Sequence, residues 1–314
     1  MSDSDKYSFY KGDKEYPQAV EEKEKTEAHS PVEPTRDTSA KYRCEQVNTT
    51  KIDGKLTSNS LQKFQFHVEI FPSTKTAKVK LEDHYYNMNP PVLNKVFDFI
   101  TKTESIRHDV SFNYGEDGKI TNILNKEEQA EKWRAFKNSK EFRTEFITGM
   151  QDNNEKGLEE IIRSGDRQFS LSHDSEEELR REMFYSVLFD WQLTSNDNNS
   201  VQQKEFLFRS ILLPNVIVPM DFRCDVLKEE DDILKLRKVG SAKLGDELLE
   251  EIIKKHDQYY KPQIKYSFTE YKLEFRQTYD VDPTTRLVNE ARLIWNEAIK
   301  DNAESFCEFK MRKL

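Results

Sequence analysis

Apolar and polar residues alternate with period two over several stretches of the chain, the mark of half-buried β-strands. Phe64, Phe66, Val68 and Ile70 alternate with Gln65, His67 and Glu69. Beyond Pro72-Ser73-Thr74, Ala77, Val79 and Leu81 alternate with Lys78, Lys80 and Glu82. A short hairpin pairing Val68 with Val79 sets Phe66 opposite Leu81, Glu69 opposite Lys78 and His67 opposite Lys80, leaving one face for core and one for water. Asp53-Gly54 and Asp117-Gly118 are each followed by lysine and lie between candidate strands, which predicts type I′ hairpin turns. The second joins Val110, Phe112 and Tyr114 to Ile120 and Ile123. Residues 41–125 therefore read as an antiparallel meander.

The middle of the chain changes to the period of a helix. Asn125 with Glu128 can cap a helix carrying Ala130, Trp133 and Phe136 on one face. Ser175 with Glu178 forms a capping box, followed by a stripe of Leu179, Met183, Phe184, Val187, Leu188 and Trp191 that must be buried across the sheet. The polar run Thr194 to Ser200 then marks an exposed loop. Alternation returns at Val216, Val218, Met220, Phe222, Cys224 and Val226, and Asp246 opens a helix with Leu248, Leu249, Ile252 and Ile253. Ile264, Tyr266 and Phe268, then Tyr271, Leu273 and Phe275, predict one long strand whose phase slips near Thr269 through a bulge. For residues 287–299, Leu287, Ala291, Ile294, Trp295 and Ala298 fit a helix. The preceding strand and the Asp282-Pro283-Thr284-Thr285 turn argue for a hairpin return, and the strand reading is preferred. Phe306 to Met311 would close the sheet.

The fold class that emerges is α+β: a highly curved antiparallel β-sheet, open or half barrel, built from 41–125 and 203–314. Helices from 126–191 and 246–258 pack it, as one domain over 41–314. Residues 1–40 stand apart, with ten acidic residues, six basic ones and only Val20 and Val32 as branched aliphatics. That composition cannot offset its ordering entropy, so a disordered arm is expected. It carries Tyr7, Phe9, Tyr10 and Tyr16. Two readings stand: a solvated tail, or an arm that orders when its aromatics dock on a protein partner.

Composition narrows the function. The 314 residues carry a net charge of -9, which disfavours nucleic acid because phosphate backbones require clustered Lys and Arg. With only 9 glycines and 10 prolines, a glycine-rich phosphate cradle is excluded. No apolar run approaches the roughly 18 residues of a spanning helix, so a transmembrane segment is not expected. Met1 to Asp5 lacks the features of a secretory signal, and a cytoplasmic address is the default expectation. Cys44, Cys224 and Cys307 form no CxxC pair and read as reduced, buried thiols.

Candidate chemistry is sparse. His108-Asp109, His173-Asp174 and His256-Asp257 are sequence neighbours, which point apart on strands and lie about 100° apart on helices, so none is a ready dyad. His67-x-Glu69 and Glu82-x-His84 could offer four zinc ligands, but the hairpin register puts His84 opposite Lys63 and sets Lys78 and Lys80 among them. Ser60 and Lys63 match SxxK without the accompanying SDN and KTG elements. No nucleotide, hydrolase or zinc-protease motif occurs, and no cofactor or metal is indicated. Trp133, Phe184, Trp191, Phe222 and Phe268 are either core or the lining of an apolar pocket between helix stripe and curved sheet.

The run Phe112 to Asn125, a strand, a DGK turn and a strand leading into the Trp133 helix, resembles uncharacterised Bacteroidota proteins built on a curved antiparallel sheet similar to the LolA/LolB lipoprotein carriers. The Tyr279 to Leu287 turn is similar to one that recurs there. The resemblance covers 41–140 and 203–314. It implies a concave apolar face under a helical lid and transfers no catalytic residues. Those carriers are exported, whereas this chain shows a charged arm in place of a signal peptide. The leading functional expectation is a non-catalytic interaction or scaffold protein, with a carrier of an apolar ligand as the alternative. An enzyme on a constellation without a recognisable motif is the third.

Overall fold

The computed structural model describes residues 37–190, 205–230, 233–264 and 266–314. By their internal contacts residues 32–314 form one unit. The predicted arm, the Thr194 to Ser200 loop and Trp191 lie outside the described residues, except that the first strand already opens at Thr38.

Strands β1 (Thr38–Ile52), β2 (Lys55–Phe71) and β3 (Thr76–Asn89) form the long meander expected from their alternation. Asp53 and Gly54, with φ of 54° and 69°, make the two-residue turn between β1 and β2. The β2–β3 register holds residue by residue: Val68 pairs with Val79, Phe66 with Leu81, Glu69 with Lys78 and His67 with Lys80. Past Phe66 a bulge shifts the pairing, so His84 faces Phe64 and not Lys63, and the ladder continues to Asn59 and Asn89.

Helix α1 (Asn94–Glu104) interrupts the meander before β4 (Asp109–Tyr114) and β5 (Ile120–Ile123). It buries only Phe99, so its apolar stripe is too thin to compete with the strand signal around it. The β4–β5 turn is not type I′. Only Gly118 takes a positive φ, 76°, and the Gly118 amide closes onto the Gly115 carbonyl at 3.0 Å. Helices α2 (Lys126–Lys137), α3 (Glu145–Asn153) and α4 (Glu155–Gln168) gather with α1 around Trp133, Phe99, Phe142, Ile147 and Phe169. Asn125 stands at the N-cap of α2, as expected, but its side chain makes no capping bond there. Its carboxamide serves β4, accepting from the Ser111 amide at 3.0 Å and donating to the Asp109 carbonyl at 2.9 Å.

The predicted long stripe is two helices, α5 (Ser175–Arg181) and α6 (Met183–Leu188), broken at an extended Glu182. The cap lies one residue before the expected box: Asp174 Oδ1 accepts from the Glu177 amide at 3.1 Å. The break lets adjacent rings reach the sheet together. Phe184 stacks on Phe66 at 3.9 Å while Tyr185 meets Phe112 edge-on at 6.1 Å.

The second half supplies β6 (Glu205–Arg209), β7 (Ile217–Glu230), β8 (Ile233–Ala242), α7 (Asp246–Tyr259) and the short α8 (Lys261–Ile264). It ends in β9 (Tyr271–Val281), β10 (Val288–Ile299) and β11 (Ala303–Lys313). The phase slip near Thr269 is no bulge: Tyr266 to Glu270 is irregular, and β9 begins at Tyr271. Residues 288–299 are strand, turned back by Asp282, whose Oδ1 accepts the Thr284 and Thr285 amides at 2.8 Å.

Among the described residues eleven strands form one antiparallel sheet in the order β5-β4-β3-β2-β1-β11-β10-β9-β8-β7-β6. The last strand does not close the sheet. It lies at its centre, paired with β1 from Tyr42 opposite Lys313 to Ile52 opposite Ala303, and so joins the two β-rich segments. The sheet stays open, with β5 and β6 at its margins, and it is strongly curved. Asp190, after α6, bonds Lys238 on β8 at 2.7 Å while its carbonyl abuts Gly118 in the β4–β5 turn, so opposite wings meet around α5 and α6. Inward residues of both wings form the main core with Phe184 and Leu188. A second core lies on the same face under α7, around Val218, Met220, Ile252 and Leu273. The outward face carries cross-strand ion pairs such as Lys41–Glu82, Arg292–Glu308 and Arg237–Asp225, each a small contributor in water.

Candidate functional site: the β6 edge

An open sheet has two margins, each offering unpaired backbone groups to another strand. The two are treated differently here. At β5, helix α5 lies alongside, and Glu176 accepts the Ile123 amide at 3.0 Å while pairing with Lys126 at 2.8 Å. Burial opposes ionisation of Glu176, yet Lys126 and the amides outweigh it and hold the carboxyl below its usual range. That margin is sealed.

At β6, Phe206 pairs with Met220, Leu207 with Pro219, Phe208 with Val218 and Arg209 with Ile217, and no strand follows among the described residues. The strand carries Phe206 and Phe208 on one face and Leu207 on the other. Phe208 and Phe206 point inward, edge-on to Trp295 and Phe222 at 5.6 Å each. Leu207 points outward. Phe206, Leu207, Ile211 and Ile217 are 38%, 53%, 54% and 47% exposed, which concentrates four large apolar side chains on one hairpin.

Pro219 fixes which backbone groups are free. Its carbonyl accepts the Lys243 amide at 2.7 Å, on the β8 side, so the Leu207–Pro219 pair is one without mutual hydrogen bonds. The N–H and C=O of Leu207 are thereby directed away from β7, toward the open margin.

Glu297 holds this hairpin in place. It is an inward residue of β10, fully buried, and its carboxylate accepts from the Ser210 hydroxyl, from the amides of Ile211 at 2.7 Å and Leu212 at 3.1 Å, and from the Tyr271 hydroxyl at 2.9 Å. The Ser210 hydroxyl oxygen also accepts the Leu213 amide at 2.8 Å, and Tyr260 donates to the Leu212 carbonyl at 2.7 Å. No cation is among these partners, so two amides and two hydroxyls solvate the charge. Burial first, and then the Glu297 charge, push the Tyr260 phenol up to about 12 and the Tyr271 phenol higher still. Because β6 runs directly into Ser210, this carboxylate positions the margin.

The histidines do not converge. His108 sits just before β4 rather than on a strand, near His84; both have a buried Nε2 without a partner, and His84 stacks on Phe64 at 4.6 Å. Burial lowers the basicity of both, and the charge of His108 lowers His84 further. His173 bonds Glu178 at 2.8 Å, which Arg107 also holds at 2.9 Å, tying α5 to the segment before β4. His256 is buried against Asp257 at 3.1 Å and the rings of Tyr260 and Phe268. Outward-facing His67 meets Ser39 at 2.8 Å. Among the described residues no group of three or more His, Cys, Asp or Glu is arranged to hold a metal.

The five aromatics considered as a pocket lining are not brought together. Phe184 belongs to the main core, Phe222 and Phe268 to the second, Trp133 to the α1–α4 core, and Trp191 lies outside the described residues. Tyr7, Phe9, Tyr10 and Tyr16 also lie outside them. An open groove of about 440 Å³ over the β1–β11 seam is lined by Cys44, Met311 and Leu314 and by the side chains of Arg43, Glu290 and Arg312, and holds none of the five aromatics. Cys44 and Cys307 are buried, and burial pushes the Cys307 thiol up to about 12. Cys224 is half-buried.

Sequence reasoning missed both parts of the site. An acidic residue at an inward position of β10, between Trp295 and Ile299, was the available sign of a buried carboxylate. The run Phe206-Leu207-Phe208, with no polar face, was the sign of an edge with work to do.

No family model matches the chain, and no curated protein matches it. Among solved structures the chain is similar to lipovitellin, from a structure titled for lipid–protein interactions in that protein. The TM-score is 0.39 at 12% identity, over 90% of this chain and 25% of the lipovitellin chain, and so low a likeness carries no argument about function. Among the described residues no helix is long and apolar enough to cross a membrane.

Proposed function

We propose that this is a non-catalytic interaction protein that recruits a protein partner by adding a strand to its sheet at β6. The observation that carries the reading is the contrast of the margins: one sealed by Glu176 and α5, the other holding out the backbone of Leu207 between exposed apolar side chains. The amino-terminal arm, through Tyr7, Phe9, Tyr10 and Tyr16, is a second contact in this reading.

A pull-down from lysate tests it, comparing the full chain with Leu207→Pro and with a chain lacking residues 1–36. Leu207→Pro should lose the captured protein and the truncation should weaken capture; equal capture by Leu207→Pro contradicts the role of β6. A second reading, a carrier of an apolar ligand, draws on the aromatic inner face at Phe64, Phe66 and Trp295. A ligand there would have to displace Phe184 from its stack on Phe66. Native mass spectrometry that finds bound lipid after gentle purification would favour that reading, and a clean apo mass would count against it.

A further inference from the structure

We propose that β6 is a self-complementary edge, through which two copies of the chain join their sheets about a two-fold axis at Leu207. The inference rests on the reading of β6 as a binding edge and names its occupant as a second copy of this chain. An isologous contact brings the same patch of two copies together, so residues equally far on either side of the axis face each other. With the axis at Leu207, the sequence Glu205-Phe206-Leu207-Phe208-Arg209 has matching chemistry from both ends. Glu205 faces Arg209 of the second copy, and Arg209 faces its Glu205. Phe206 faces Phe208 twice, and Leu207 faces Leu207. Placing the axis at Phe206 or Phe208 sets a charge against Leu207 instead, so complementarity selects one register.

The backbone agrees with that register. The N–H and C=O of Leu207 point away from β7, as deduced from Pro219, and by alternation so do those of Glu205 and Arg209. These three residues meet only one another across the axis, as hydrogen-bonded pairs. Directly opposite residues share a face, so the aromatic pairs extend the inner face beside Phe222 and Trp295, while the leucines meet on the outer one. An isologous contact uses the same patch on both copies, so pairing at β6 is complete at two. Five paired residues make a contact below the roughly 1,000 Å² of a stable interface. The dimer is therefore weak and concentration-dependent.

Sedimentation velocity of the full chain over a wide concentration range tests this. The wild-type protein should move from monomer to dimer and stop there. Leu207→Pro removes only the outward N–H and leaves the pairing with β7 intact, so it should stay monomeric with an unchanged melting transition. Arg209→Glu sets like charges opposite each other twice and should weaken association by about tenfold. Adding Glu205→Arg to Arg209→Glu should restore it. A wild-type chain that stays monomeric, assemblies that grow beyond two, or a double variant as weak as the single one overturns the proposal. If the chain is monomeric while Leu207→Pro still loses its captured partner, self-pairing is wrong and the binding-edge reading stands. If neither changes, both fall.

Discussion

The sheet ends in two ways. At β5 a helix lies against the last strand and a carboxylate takes its free amide. At β6 a strand with Phe206 and Leu207 exposed is held in place by a buried carboxylate that bonds only to the loop behind it and to Tyr271. Glu176 and Glu297 are both buried acidic anchors, yet one covers a margin and the other presents one. Sealing one margin keeps a long open sheet from growing from both ends, and the other is then available for recognition.

Loosening the helical cover over the sheet has the largest expected effect. Phe184→Ala removes the ring stacked on Phe66 and should cost about 3–5 kcal/mol in urea denaturation. Amide exchange should rise at β4 and β5 while β6 is unaffected. Next, Glu297→Ala leaves two amides and two hydroxyls without their acceptor and should cost about 3 kcal/mol. Here exchange should rise in Ser210 to Leu213 and β6, with β5 unchanged; Glu297→Gln, which keeps the shape, should cost less.

Glu176→Ala uncovers the Ile123 amide and unpairs Lys126, at about 1–2 kcal/mol. It creates a second open margin, so sedimentation should detect species larger than a dimer, and an unchanged distribution would show that Glu176 is not the seal. Acid should act beside the sealed wing as well. In the unfolded chain histidine takes up its proton near pH 6.5, whereas burial keeps His84 and His108 neutral to lower pH in the fold. The unfolded chain binds more protons in between, so stability is full above the ordinary value and is lost as pH falls through the folded values. The melting temperature should drop between neutral and mildly acidic pH, and His84→Phe should reduce the drop. The smallest effect concerns the thiols: in the native protein a maleimide should leave Cys44 and Cys307 unmodified, and both should react after denaturation.

Much of the fold was legible. The β2–β3 register followed from two alternating runs and a short turn, since only one pairing puts Val68 and Val79 on the same buried face. The antiparallel, curved, open character also followed, as did β10 in place of a helix. What local pattern does not encode is long-range pairing: nothing near Phe306 to Met311 says that its strand lies between β1 and β10 at the centre of the sheet. Helix α1 was hidden because only Phe99 is buried, and the stripe through Leu179 and Phe184 gave no sign of the break at Glu182. The pattern marks the aromatic rings as core or pocket lining but not where each goes, because hydrophobicity says that a ring is buried and not in which core. The site was the least legible part, because an edge strand differs from a central one only in what lies beyond it.

The most direct test is amide exchange at β6 and β5 in the same wild-type sample, followed on dilution. The account predicts that Leu207 and Arg209 lose protection as the protein is diluted, while Ile123 stays protected at every concentration. Protection at β6 that is independent of concentration, or loss at both margins together, would contradict it.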